Sequence, residues 1–174
     1  MSAATEAWIN IRDSDVKDKV LKALAEKKLC YIATAGENNV DNAVVAYYAD
    51  GFDLYFGSFS DTLKCRNISV NPNVAVCIDN IQIHGRAHQI EYGSDEYLKY
   101  REKYLEKFPH YRFYFGLENN ELYKVTPLVI WYYDSSKGTM HRDVIVFDDE
   151  YYKEIAPYEP PKEFKKRNES NNAL

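Results

Sequence analysis

Asp53-Leu-Tyr-Phe-Gly-Ser58-Phe-Ser-Asp61-Thr62-Leu-Lys64-Cys-Arg66-Asn-Ile-Ser-Val-Asn71-Pro72 is the stretch that decides the fold. Its first half reads as a strand ending in small hydroxyl residues. Its second half runs straight into a short helix with Lys64 in the first turn, and Val74-Ala-Val-Cys-Ile78 follows at once as another strand. Backbone N–H groups at a helix start, neighbouring hydroxyls and one cation make a site for a phosphate. Strands on both sides build that site into a sheet. A carboxylate beside a phosphate would repel it, so Asp61 is expected to cap the helix with its side chain turned away. Arg66 either adds a second cation or pairs with an acidic neighbour.

Working outward, Asp15 to Lys28 repeats its apolar residues at helical spacing, with Ser14 or Asp15 as the cap. Leu29-Cys-Tyr-Ile-Ala-Thr-Ala35 and Asp41 to Tyr48 read as strands joined by a turn at Gly36 to Asn39. Ala49-Asp50-Gly51 turns the chain into the strand from Phe52, a hairpin signal. Ile81 to Ile90 alternates clearly, and Gly85 inside it predicts a bulge or a close backbone approach. Ser94 caps a predicted amphipathic helix that Pro109 stops. Glu121 to Tyr133 is a long strand, in which Pro127 demands an edge position or a bulge. Asp143 to Phe147 is the last predicted strand. Many short strands and few helices predict an antiparallel barrel with helices packed outside.

The whole chain sets limits on function. Its 174 residues and 45% hydrophobic fraction fit one domain with a real core. A net charge of −5 leaves no basic surplus for nucleic acid, so none is expected as a partner. Cys30, Cys65 and Cys77 lie in or beside apolar runs without metal-type spacing, so reduced packed thiols are expected, with no disulfide framework and no metal site. The N-terminus lacks a basic start with an apolar core, and no apolar run approaches a membrane span. A cytoplasmic protein without membrane contact is therefore expected. Most of the 16 tyrosines are read as ordinary strand residues.

With these elements and motifs in order, the chain resembles the pyridoxamine 5'-phosphate oxidase-like, FMN-binding split-barrel proteins over roughly Asp15 to Tyr133. The carriers are Leu29-Cys-Tyr-Ile-Ala-Thr-Ala, the hairpin into Leu54-Tyr-Phe-Gly-Ser58, the Thr62-x-Lys64 element, Asn71-Pro72-Asn-Val-Ala-Val and Ile81-Gln-Ile-His-Gly-Arg-Ala. The resemblance implies a mainly β, α+β fold: a six-stranded antiparallel split β-barrel with a few peripheral helices. On that reading, residues 1–149 are a single FMN-binding domain and 150–174 a charged C-terminal tail on the surface. The resemblance also implies a homodimer with FMN at the subunit interface. Val44, Val45 and Ala46 would offer backbone groups to the flavin ring edge. Ser58, Thr62 and Lys64 would hold its phosphate. Gln82 would face the flavin, and Trp131 would be laid near it by the partner subunit.

Departures from the family pattern matter as much. The vitamin B6 oxidases carry an arginine and a lysine where this chain has Asn42 and Tyr47, and a basic residue where it has Leu63. Their final strand starts with an Arg-Leu-His-Asp-Arg type run, which Gly138-Thr-Met-His141-Arg142 echoes only faintly. Tyr100 and Arg101 lie where those enzymes hold substrate phosphate, but helical surface polarity explains both equally well. The expected function is an FMN-dependent oxidoreductase that is not a true pyridoxamine phosphate oxidase, acting on a small-molecule substrate or NAD(P)H. No catalytic side chain is identified. The alternatives are F420 or haem as the ligand, or a non-enzymatic flavin-binding redox or stress protein. His84, His88, His110 and His141 keep haem open. His84 and His88, four residues apart on one strand face, stand ~13 Å apart and cannot share a metal ion.

Overall fold

A computed structural model of the chain describes residues 10–11, 15–138 and 141–155. Among them the elements run β1 (Asn10–Ile11), α1 (Val16–Glu26), β2 (Leu29–Ala35), β3 (Val40–Ala46), β4 (Tyr48–Asp50), β5 (Asp53–Phe59), α2 (Leu63–Val70), β6 (Asn73–Ile78), β7 (Ile81–Gln89), α3 (Asp95–Lys107), β8 (Asn120–Tyr133), β9 (Arg142–Val146) and α4 (Asp149–Ile155). Short 3-10 turns fill parts of the segment between α3 and β8. The expected Ser14 cap and the residues beyond 155 lie outside the described set.

The strands with six or more residues, β2, β3, β5, β6, β7 and β8, pair antiparallel in the order β3-β2-β6-β7-β8-β5. This is the α+β split barrel. β8 is the hinge of the sheet. Along one edge it pairs with β7 throughout; along the other, its first half pairs with β5 up to Val125 and its second half with β9 from Val129. Pro127 falls in the changeover between those two partners. A proline lacks the N–H a ladder needs, and here the ladder on that edge is interrupted. The register between β7 and β8 shifts at His84 and Gly85, opposite Pro127. The Leu128 carbonyl, left by the bulge, accepts from the N–H groups of Phe147 and Asp148 at 2.9 and 3.1 Å.

Period-2 alternation fills the barrel. Ile32, Val76, Ile78, Ile81, Ile83 and Ile130 point inward and are almost wholly buried. α1 closes the barrel by burying Val16, Val20 and Leu24 against them, each contributing roughly 1.5–3 kcal/mol. Tyr47 breaks the strand from β3 into β4. It is fully buried, and its hydroxyl donates to the Leu24 carbonyl of α1 at 2.9 Å. A second core is aromatic. Tyr97, Tyr100 and Tyr104 of α3, with Phe108 just after it, pack on Tyr55 of β5 and Leu122 of β8. The Ser94 cap of α3 forms as expected, its hydroxyl accepting from the Tyr97 N–H at 3.1 Å. The chain after residue 148 is not a bare surface tail over its described part. α4 lays Tyr151, Tyr152 and Ile155 on Val129, Trp131 and Val144. No described helix is long and apolar enough to cross a membrane.

Gly85 tests the bulge directly. A Cβ there would lie 2.7 Å from the Thr126 backbone carbonyl, an atom that cannot swing away. Gly85→Ala is expected to destabilise the fold by ~1–3 kcal/mol in urea unfolding. An unchanged midpoint would contradict this register.

Candidate functional site

β5 and α2 bring the expected anion-binding residues together. Thr62 occupies the N-cap position of α2, but no side chain caps the helix. The Thr62 hydroxyl instead donates back to the Phe59 carbonyl at 2.9 Å. The first-turn N–H groups of Leu63, Lys64 and Cys65 therefore have no intrahelical acceptor and no capping side chain. Ser58 Oγ stands 3.3 Å from Thr62 Oγ1, and Lys64 Nζ donates to the same oxygen at 3.4 Å. Two hydroxyls and a cation thus converge on one point at a helix start. Asp61 does not cap the helix. It is exposed, and its backbone carbonyl accepts from Arg66 Nη1 at 2.7 Å, which holds the exposed Arg66 on the outer side of the turn.

This cradle opens into a gap in the sheet. β3 pairs with β2 and β5 pairs with β4 and β8, but no ladder joins β3 to β5 among the described residues. Between them lies a cavity of about 220 Å³. Val44, Val45 and Ala46 form one wall, Gly57, Ser58 and Phe59 the other, and Thr62 and Lys64 line one part of it. The Tyr47 N–H donates to the Lys28 carbonyl at 3.1 Å, which sets the phase of the β2–β3 ladder. By antiparallel alternation, Val45 spends its backbone groups on β2, while those of Val44 and Ala46 face away from it toward the gap. The Tyr104 hydroxyl takes the Ala46 carbonyl at 3.3 Å. Tyr111, Tyr114, Phe115 and Asn120 complete the lining. Sequence reading missed these residues. Tyr104 reads only as the apolar face of α3, and Asn120 carries no local signal because long-range pairing brings it to Phe59.

Gln82 and Trp131 meet each other, but not in that cavity. They are direct partners across β7 and β8. Both line a separate hollow of about 340 Å³ with Cys77, Asn80, Tyr133 and Arg142. The Arg142 guanidinium lies over the Trp131 ring, 5.4 Å from its centre. A broad groove of about 790 Å³ runs across the same outer face, over β3, β2, β6 and β7. Leu29, Tyr31, Val40 and Val44 stand exposed on that side of β2 and β3. At the end of the groove His84 has its Nε2 3.1 Å from Gln82 Nε2 and its Nδ1 3.0 Å from the Tyr151 hydroxyl. Tyr100 is buried, stacked on Tyr55 at 3.8 Å, with its hydroxyl donating to Asp50 at 2.7 Å. His141 is buried against Asp143, whose other oxygen accepts from Lys137. His110 packs on Tyr111 at the surface. Among the described residues no group of three or more His, Cys, Asp or Glu side chains could hold a metal ion.

Burial pushes the phenols of Tyr47, Tyr55, Tyr104 and Tyr123 well above their ordinary value. Burial likewise pushes the Cys30 thiol up to about 12. A raised folded value means the folded chain keeps protons that the unfolded chain releases. That part of the stability is complete below about pH 10 for the tyrosines and below about pH 9 for Cys30, their ordinary values, and declines above them. In an alkaline titration followed by tyrosinate absorbance, a late cooperative step should coincide with unfolding. Smooth ionisation of every tyrosine in a chain that stays folded would contradict these burials.

A sequence profile described as pyridoxamine 5'-phosphate oxidase matches residues 16–134. No curated protein sequence matches the chain. Among solved structures, the General Stress Protein 26 of Bacillus anthracis is 22% identical, with a TM-score of 0.54 over 68% of this chain and 94% of that one. The haem storage protein HutZ of Vibrio cholerae is 14% identical, with a TM-score of 0.56 over 66% and 91%. An FAD-binding protein of Mesorhizobium loti is 13% identical, with a TM-score of 0.54 over 68% and 92%. At these identities the likeness is one of fold.

Proposed function

The chain belongs to the pyridoxamine 5'-phosphate oxidase family, and from that membership we propose that it is an FMN-binding oxidoreductase but not a true pyridoxamine phosphate oxidase. The observation that carries the reading is the convergence of Ser58, Thr62, Lys64 and an uncapped helix start at one end of a cavity whose wall is a strand edge. Those donors suit a phosphate. The outward N–H groups of Val44 and Ala46 suit the polar edge of a flavin ring. Bound FMN supplies the electron-transfer chemistry. The chain's residues bind, orient and shield it. Ser58, Thr62 and Lys64 hold the phosphate end, and the aromatic wall of Tyr111, Tyr114 and Phe115 keeps water from one side.

The reading includes a homodimer. The apolar outer face of β2 and β3 is the surface a second copy would cover. A second copy also accounts for Gln82, which is exposed and lines a different hollow from Ser58 within one protomer. The partner subunit's Gln82 would then face each flavin, while Trp131, buried beneath α4, stays within its own protomer. Activity on pyridoxamine phosphate is not carried over. Tyr100 is engaged with Asp50 and Tyr55, Tyr47 is buried where those oxidases have a lysine, and Leu63 replaces a basic residue. A small-molecule substrate or NAD(P)H is the expected reductant or oxidant partner.

Haem is the second reading, and its support is His84 at the end of the 790 Å³ outer groove. Axial ligation would require His84 to give up Gln82 or Tyr151. The visible spectrum separates the two. FMN added to the purified protein should be bound with quenched fluorescence, and Lys64→Ala should weaken that binding roughly 10-fold. An intense haem band with no flavin uptake would overturn the FMN reading, and wild-type affinity in Lys64→Ala would overturn the phosphate assignment.

A further inference from the structure

The cavity between β3 and β5 holds a polar atom that the protein itself does not satisfy. Asn120 opens β8 opposite Phe59. Its backbone N–H is engaged, donating to the Leu117 carbonyl at 3.1 Å. Its side chain is only 6% exposed, and Oδ1 is buried without a hydrogen-bond partner. Buried amide oxygens are nearly always paired, so an orphan at the wall of a cavity marks a place for a partner from outside the chain. The same side chain lines the cavity that Ser58, Thr62 and Lys64 enter. Gly57 lets the Phe115 ring pack closely beside that corner. A Cβ on it would lie 3.0 Å from the Phe115 ring and 3.5 Å from Asn120 Oδ1.

We propose that Asn120, which lines the cavity with Ser58, Thr62 and Lys64 and whose buried Oδ1 has no partner, accepts a hydrogen bond through that oxygen from a hydroxyl of the ligand's polyol chain. The inference rests on the FMN reading and extends it from the phosphate to the chain that carries the phosphate. Donor and acceptor roles decide the chemistry. Lys64, the Ser58 hydroxyl and the helix N–H groups can donate, and they match a phosphate that only accepts, while the Thr62 O–H is held by the Phe59 carbonyl. Asn120 Oδ1 can only accept. An ionised phosphate or carboxylate offers it nothing, so a haem propionate in this corner would leave it unpaired. A sugar-alcohol chain next to a phosphate offers O–H donors and satisfies both sets at once. The Oδ1 acceptor thereby favours a phosphorylated polyol over an anionic tail made only of acceptors.

Fluorescence titration with three flavins tests this: FMN, riboflavin, which keeps the polyol but lacks the phosphate, and lumiflavin, which lacks both. Wild-type protein should bind riboflavin better than lumiflavin. Asn120→Leu should weaken FMN and riboflavin by the same factor, about 5- to 100-fold, and leave lumiflavin unchanged. Asn120→Asp, nearly the same shape, keeps an acceptor but adds charge. It should hold riboflavin within about threefold while losing FMN through repulsion of its phosphate. If Asn120→Leu does not fold, the aspartate variant decides alone. Loss confined to FMN in the leucine variant, equal loss of lumiflavin, loss of riboflavin in the aspartate variant, or riboflavin binding no better than lumiflavin in the wild type would each overturn the proposal. Wild-type protein that binds none of the three would overturn the FMN reading beneath it, a distinguishable result.

Discussion

The Tyr104 hydroxyl donates to the Ala46 carbonyl across a gap that the backbone leaves open. β3 and β5 come together at that point but share no ladder, so one side-chain hydrogen bond stands where a row of backbone bonds would close the barrel. The gap is what leaves a cavity between the two strands. Had β3 paired with β5, the outward groups of Val44 and Ala46 would be consumed and the cavity would vanish. α3 supplies the pin because its aromatic face, Tyr97, Tyr100 and Tyr104, is fixed in the second core. Burial keeps the Tyr104 phenol protonated, and so able to donate, well into the alkaline range.

An edge strand is ordinarily a liability, because its unpaired groups invite another strand. Here the edge faces a cavity walled by aromatic rings and a cationic corner, which suits a ligand better than a strand. The other face of the same strands carries exposed Tyr31, Val40 and Val44 beside the broad outer groove. One short stretch of sheet thus presents a ligand-sized hollow on its edge and an apolar face on its surface. The proposed homodimer uses both at once.

Much of this was legible in the sequence because the physics is local. The hydroxyl-to-helix stretch from Ser58 to Lys64 folds on its own neighbours. Pro127 and Gly85 announce an interrupted ladder and a close approach, and both are found at the same register shift. Ser94 caps its helix within one turn. What escaped the sequence depends on partners far along the chain. Asn120 reaches the site through pairing with Phe59, and Tyr104 through packing across the second core. Asp61 looked like a cap, but the turn closes through the Thr62 hydroxyl to Phe59 instead. The charged residues after 148 hid the apolar face of α4, since Tyr151, Tyr152 and Ile155 are spaced among acidic neighbours. Gln82 and Trp131 are cross-strand partners that line a hollow of their own, away from Ser58.

The central claim is that the gap between β3 and β5 is the flavin site. Residue-resolved amide hydrogen exchange, with and without FMN, tests it most directly. The account predicts slowed exchange at Val44 and Ala46 and in the first turn of α2 at Leu63 to Cys65, with Val45 little changed because its N–H already belongs to the β2 ladder. Protection confined to the outer groove around His84, with Val44, Ala46 and the first turn of α2 unaffected, would contradict it.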